Sequence, residues 1–260
     1  MDRRDFLTTA GGILTMSQLA PAADAKPMIL ELTKIWLRNT TDSMVQRTNE
    51  YVGKGYFPAL QRAGITPAGA FSSLIAPDSP FLLLLTQYAS LSAWDAAGEK
   101  LAADREFQKG RETYFAGPLQ YMRFETTLLR GFRTLPGIEA PSALPDAAKT
   151  RVYELRTYES NNTQTLTRKI KMFDEGEIAI FRKVGMVPVF FGETIAGRNM
   201  PNLTYMVGFD DLAARERVWG AFVSSPEWQK LRAQAGLSDG EVVSNISNIL
   251  VKPLAFSAIK

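Results

Sequence analysis

The chain has 260 residues, of which 45% are hydrophobic, 10% aromatic and 22% charged. These are the proportions of an ordinary globular protein, and they exclude wholesale disorder, collagen and coiled coil. Thirty Lys and Arg against twenty-seven Asp and Glu leave a net charge of +3, with the bases too dispersed to mark a nucleic-acid surface. The chain contains neither Cys nor His, which removes disulfides, thiolate and imidazole metal sites, histidine-ligated haem and every Cys- or His-dependent nucleophile. No cofactor is expected, and any chemistry must come from carboxylates, Lys, Arg, Tyr, Ser and Thr.

At the N-terminus Arg3-Arg4-Asp5-Phe6-Leu7 is similar to a bacterial twin-arginine export signal. The segment behind it, Phe6 to Ala20, is interrupted by Thr8, Thr9, Gly11, Gly12, Thr15 and Ser17, and is too short and too polar for a stable membrane span. Pro21 stops any helix, and Ala23-Asp24-Ala25 offers a small-x-small cleavage site before Lys26. Residues 1–25 are therefore expected to be a signal peptide and the mature protein to be periplasmic or secreted. Cleavage would remove two arginines and three aspartates, giving a mature charge of +4. No later segment reads as membrane-spanning; Phe81 to Leu85 is an apolar run of strand length.

From Lys26 onward the pattern predicts a strand over 29–38, a helix over 42–63, strands over 68–75 and 81–88, a helix over 91–115 and a strand over 122–129. Residues 135–149, rich in Pro and Ala, read as a linker. The order then repeats: a strand over 151–158, a helix over 165–184 ended by Gly185, strands over 187–196 and 203–209, a helix begun by Asp211 and restarted at Ser225-Pro226-Glu227, and a strand over 243–251. Ala63-Gly64-Ile65-Thr66-Pro67 and Val184-Gly185-Met186-Val187-Pro188 lie 121 residues apart, as do Glu106-Phe107-Gln108-Lys109 and Glu227-Trp228-Gln229-Lys230. In the first strands the offset is 123, placing Glu31-Leu32 on Glu154-Leu155. Several matches in one order at nearly one spacing indicate a duplication.

Each copy, residues 26–134 and 150–260, has the βαββαβ order of a ferredoxin-like unit, an antiparallel sheet with helices on one face. The other face must be covered. Two units in one chain are expected to press those faces together, so the fold class is α+β: an intrachain dimeric α/β barrel.

The second unit resembles the NIPSNAP family through Val152-Tyr153-Glu154-Leu155-Arg156-Thr157-Tyr158, Gly185-Met186-Val187-Pro188-Val189, Leu203-Thr204-Tyr205 to Trp219, and Ser225-Pro226-Glu227-Trp228. The resemblance covers residues 150–256, with 29–132 as a diverged copy. It implies a dimeric α/β-barrel fold without a settled catalytic activity. The same fold also carries cofactor-free oxygenases, isomerases and haem proteins, so it assigns no chemistry by itself.

Alternation along 152–158 sets Glu154, Arg156 and Tyr158 on one face and Tyr153, Leu155 and Thr157 on the other. We expect the first row to face the lumen and the second to pack on helices. The row could bind an anionic or phenolic ligand, with Glu154 as base and Arg156 clamping an oxyanion, although an ion pair that sets strand register is the simpler account. Tyr205 could join this row, and Trp36, which has no aromatic counterpart in the second unit, could line a pocket. Arg123 and Glu125, with Ser244, Asn245, Ser247 and Asn248, are further polar candidates, more simply read as a solvated sheet edge. Trp94, Trp219 and Trp228 read as core, and Asp210-Asp211 as a helix cap.

Two functions compete: an exported protein that binds a small molecule or protein partner without turnover, and a cofactor-free oxygenase or isomerase for an aromatic or enolic substrate. The absence of any group whose ordinary pKa lies near 7 favours the first. Nucleic acid is not an expected partner, no metal is expected, and a homo-oligomer is compatible with the fold.

Overall fold

The computed structural model describes residues 25–142, 144, 146 and 149–260. Apart from Ala25, the expected signal peptide lies outside the described residues. The first unit runs β1 (Ile29–Trp36), α1 (Met44–Tyr51), a π-helical turn (Val52–Tyr56), α2 (Phe57–Arg62), β2 (Gly69–Ile75), β3 (Phe81–Tyr88), α3 (Leu91–Ala103), α4 (Arg105–Ala116) and β4 (Arg123–Gly131). The second runs β5 (Val152–Glu159), α5 (Thr163–Met172), a π-helical turn (Phe173–Glu177), α6 (Ile178–Lys183), β6 (Val187–Ala196), β7 (Asn202–Phe209), α7 (Leu212–Ser224), α8 (Pro226–Arg232), a short α9 (Asp239–Val242) and β8 (Asn245–Pro253).

Local chemistry accounts for the breaks. Asp104 accepts from the Phe107 amide and Ser225 from the Trp228 amide, so the same cap position splits each second helix with different side chains. Besides the short α9, the sequence did not signal the π turn in the first helix of each unit, at the 121-residue spacing, where it reads as unbroken helix. A π turn inserts one residue into the helical ladder and rotates the remainder of the helix about its axis. In the two copies its last residue is Tyr56 and Glu177 respectively.

The strands close into one antiparallel barrel in the order β1-β3-β2-β8-β5-β7-β6-β4, with β4 returning to β1. Within each unit the order is the ferredoxin-like one. The two seams between units are β2–β8 and β4–β6, each with one register shift. β8 pairs with β5 along Asn245–Val251 but with β2 only over Leu250–Pro253, so its polar residues Asn245, Ser247 and Asn248 lie on an exposed stretch bonded on one side, as a solvated edge would be.

The lumen is filled. Leu30 and Leu32 from β1, Phe71 from β2, Phe81, Leu83 and Leu85 from β3, Leu129 from β4, Tyr153 from β5, Val189 and Phe190 from β6, Met206 from β7 and Val251 from β8 form one buried cluster. Met28, Ile138 and Ile259 pack against it from the end where β1 begins. Ile138 belongs to the expected linker, yet that stretch is strapped to the barrel: the Met28 amide donates to the Pro136 carbonyl at 2.8 Å, and the Ile138 amide to Gln87 Oε1 at 2.8 Å. Two further clusters lie between each sheet and its own helices, one built on Met44, Phe57 and Leu82, the other on Phe173, Phe181, Phe191 and Tyr205.

Candidate functional site

The paired registers fix which side chains share a face. Leu155 lies opposite Met206, a lumen residue, whereas Arg156 lies opposite Tyr205 and Tyr158 opposite Leu203, both in the helix-side cluster. Glu154, Arg156 and Tyr158 therefore face the helices, and Tyr153, Leu155 and Thr157 face the lumen. This inverts the expected assignment. Alternation separates two sets without saying which is inside; here the lumen takes the apolar set, and α7 supplies partners for the polar one.

Those partners saturate Glu154. Its Oε1 accepts from Arg156 Nη1 at 2.7 Å, Arg215 Nη2 at 2.9 Å and Asn248 Nδ2 at 3.0 Å. Its Oε2 accepts from Arg215 Nε at 2.7 Å and Trp219 Nε1 at 2.9 Å. Burial alone would raise the carboxyl pKa, but the Arg215 bonds, the Arg156 charge and the Trp219 indole outweigh it and hold the group at about 2. A carboxylate so engaged agrees with the ion pair that is the simpler account of this row rather than with a free base. Arg156 continues the row, donating to Tyr158 Oη at 3.2 Å and lying 4.6 Å from the Trp219 ring centre. Tyr205 does join it, donating to Tyr158 Oη at 2.9 Å, but is fully buried. The four side chains form a structural network, and Trp219 is part of it rather than plain core.

Beside it lies a buried pair that sequence reasoning missed: Lys169 Nζ donates to Glu177 Oε2 at 2.9 Å, with both side chains excluded from water. Burial pushes the Glu177 carboxyl up, opposed by the ammonium. The π turn delivers Glu177 inward, and sequence periodicity does not reveal π turns.

The other candidates converge at the barrel end opposite Met28. Across β1, β3 and β4, Trp36 lies opposite Phe81 and Arg123, and Lys34 opposite Leu83 and Glu125. Lys34, Trp36 and Glu125 thus share the lumen face. With Asp78, Thr127, Thr157, Thr194, Arg198, Asn202, Thr204 and Ser247 they line a polar mouth of about 300 Å³, to which both units contribute. Asn248 points instead to Glu154, as alternation requires.

The charges of the mouth are unevenly matched. Arg198 Nε lies 2.5 Å from Glu125 Oε2, an ion pair whose angles fall short of a hydrogen bond, and Arg123 lies 3.9 Å from Asp78. Lys34 makes neither an ion pair nor a hydrogen bond among the described residues. Its ammonium stands 4.1 Å from the Phe81 ring centre and 4.6 Å from that of Trp36, while the Arg123 guanidinium lies 4.4 Å from the latter. Burial lowers the Lys34 pKa, partly offset by Asp78 and Glu125. Trp36 is 7% exposed and its indole N–H is buried without an acceptor among the described residues. A cation with no ion pair among the described residues, in a concavity rich in hydroxyl and amide groups, is what an anionic ligand would satisfy. No group of three or more His, Cys, Asp or Glu among the described residues could hold a metal.

A closed antiparallel barrel of two ferredoxin-like sheets, each backed by helices, defines a dimeric α/β-barrel protein whose two halves lie in one chain. Residues 153–258 match the NIPSNAP family model, and the chain carries a NIPSNAP domain in its second half. Among solved structures, a Fusobacterium nucleatum protein provisionally named a monooxygenase is similar over 88% of this chain and 93% of its own, at 10% identity and a TM-score of 0.59; at that identity the likeness is one of fold. A NIPSNAP-like domain protein from Burkholderia xenovorans matches 42% of this chain and 90% of its own at 23% identity and a TM-score of 0.37. A NIPSNAP family protein of unknown function from Agrobacterium tumefaciens matches 43% and 96% at 19% identity and 0.38. No curated protein sequence matches the chain.

Glu154→Gln should cost about 3–5 kcal/mol at pH 7, because it leaves two guanidinium groups without their countercharge. The native carboxyl has a depressed pKa, so its stabilisation is complete above about pH 4.5 and is lost as pH falls toward 2. Urea denaturation across that range should show the gap between variant and parent closing with acidity.

Proposed function

We propose that the protein is an exported NIPSNAP-type binding protein whose barrel mouth takes a small carboxylate-bearing ligand without turning it over. The observation that carries this reading is the Lys34 ammonium, without an ion pair or hydrogen bond among the described residues, in a cavity whose other lining is largely hydroxyl and amide. The filled lumen beneath leaves no depth for a large substrate, so the ligand is held at the rim between the two units, with the Trp36 ring as an apolar wall.

Titration calorimetry with short aliphatic and aromatic carboxylates tests the site. Lys34→Met should weaken the best binder by about 10- to 100-fold, the range expected of a charge-assisted hydrogen bond. No binder in the panel, or one indifferent to Lys34→Met, would rule the reading out. Mass spectrometry of protein purified from its native compartment would identify a retained ligand.

The competing reading, a cofactor-free oxygenase or isomerase, would use the same lysine as its base, in the mouth beside the Trp36 and Phe81 rings. The pH dependence separates the two. Anion binding requires the charged ammonium and weakens as pH rises through the lysine pKa, whereas proton abstraction requires the free amine and strengthens.

Export rests on Arg3 and Arg4 ahead of a mildly apolar segment. A folded reporter carrying residues 1–25 should reach the periplasm, and changing both Arg3 and Arg4 to Lys should retain it in the cytoplasm. Equal export of both fusions would remove the twin-arginine route.

A further inference from the structure

The Glu154 network has a counterpart in the first unit that is differently completed. Glu31, 123 residues earlier, occupies the matching strand position. Its Oε2 accepts from Tyr88 Oη at 2.8 Å and Trp94 Nε1 at 3.1 Å, with Thr86 Oγ1 at 3.4 Å. Oε1 has only a 3.5 Å contact from Thr33 Oγ1. Thr33 stands where the second unit has Arg156, Trp94 where it has Arg215, and Gly98 where it has Trp219. Both guanidinium groups that neutralise Glu154 are therefore absent around Glu31, which makes no ion pair among the described residues. Trp94 makes the indole bond that Trp219 makes in the second unit, but the space filled there by the Trp219 ring has no side chain at Gly98.

In its place is a cavity of about 240 Å³, lined by Glu31, Tyr56, Tyr88, Trp94, Asp95 and Gly98 among others, with no basic side chain in its wall. At ~30 Å³ per water this is room for a small organic molecule. Tyr56, at the end of the first unit's π turn, contributes a hydroxyl without a hydrogen-bond partner among the described residues. Burial pushes both the Tyr56 and Tyr88 phenols up, so they remain neutral. Trp94, expected in the core, is 36% exposed and forms the outer wall. Gly98 is exposed and marks the opening.

We infer that this cavity is a binding site for a small alkylammonium cation, whose charge takes the place that Arg156 and Arg215 fill beside Glu154. Two carboxylates, one with an almost vacant oxygen, supply the countercharge, and the rings of Tyr56, Tyr88 and Trp94 supply the π faces that attract a weakly hydrated cation. The site lies between sheet and helices of the first unit, apart from the barrel mouth, and depends on nothing proposed for it.

Tetramethylammonium chloride, titrated into the full chain at constant ionic strength, is the probe, with tert-butanol as a neutral control of similar shape. The expected result is saturable binding of one cation per chain and none of the alcohol. Glu31→Gln should weaken it at least tenfold while preserving the acceptor for Tyr88 and Trp94. Gly98→Trp should abolish it by filling the cavity; a Cβ at Gly98 meets no heavy atom within 4 Å, so the backbone tolerates the change. Should that variant fail to fold, Glu31→Gln and the surface change Asp95→Asn decide. No saturable binding, equal binding of the alcohol, or an unchanged affinity in Glu31→Gln would overturn the proposal.

Discussion

The structure depends on the mutual burial of two apolar sheet faces. A ferredoxin-like sheet covers one face with its helices and leaves the other bare, and a face of Leu, Phe and Val cannot stay in water when each fully buried large side chain is worth ~1.5–3 kcal/mol. The second copy of the unit supplies the cover, and the seams β2–β8 and β4–β6 supply the hydrogen bonds that lone sheets would leave open. Once Phe71, Phe81, Phe190 and Tyr153 occupy the lumen, strand alternation sends every second residue to the helix side. That is how Glu154 and Arg156 come to lie under α7 and how Lys34 and Trp36 come to the barrel mouth.

Duplication also lets the copies diverge where they are not needed for closure. The second unit neutralises its buried carboxylate with its own arginines and seals the space with Trp219; the first keeps the carboxylate, drops the arginines and leaves a glycine. The two are one architecture in a closed and an open form. The π turn, retained in both, presents Glu177 to Lys169 in one and places Tyr56 at the cavity in the other. The barrel mouth differs again, because its walls come from both units and it exists only when they are joined.

Much of the fold was legible in the sequence because it is written in periodicity and repeated punctuation. The Gly-x-x-Pro matches after the first helix of each unit, the restart at Ser225, and the strand alternations located most elements to within a few residues. The candidate site was only partly legible. Trp36, Arg123 and Glu125 do meet at the mouth, and alternation correctly parted Ser247 from Asn248. The orientation of the Glu154 row was misread because a lone strand pattern carries no information on which face the helices cover, and a row of Glu, Arg and Tyr suggests a wet cavity when Arg215 and Trp219, some sixty residues away, have not been placed beside it. Lys34 was overlooked because a lysine in a strand ordinarily reads as solvated; its isolation appears only when its neighbours across β3 and β4 prove to be Leu83 and a Glu125 already engaged by Arg198.

The two units form one closed, cooperatively stable barrel around a dry lumen, and native-state hydrogen exchange at the seam strands tests this most directly. If the halves are so joined, amides bonded across β2–β8 and β4–β6 exchange only through global unfolding, with the same free energy as those in the centre of β5 and β7. Seam amides that exchange through a much cheaper opening, while each unit's own strands stay protected, would mean that the halves part readily and that the lumen does not hold them together.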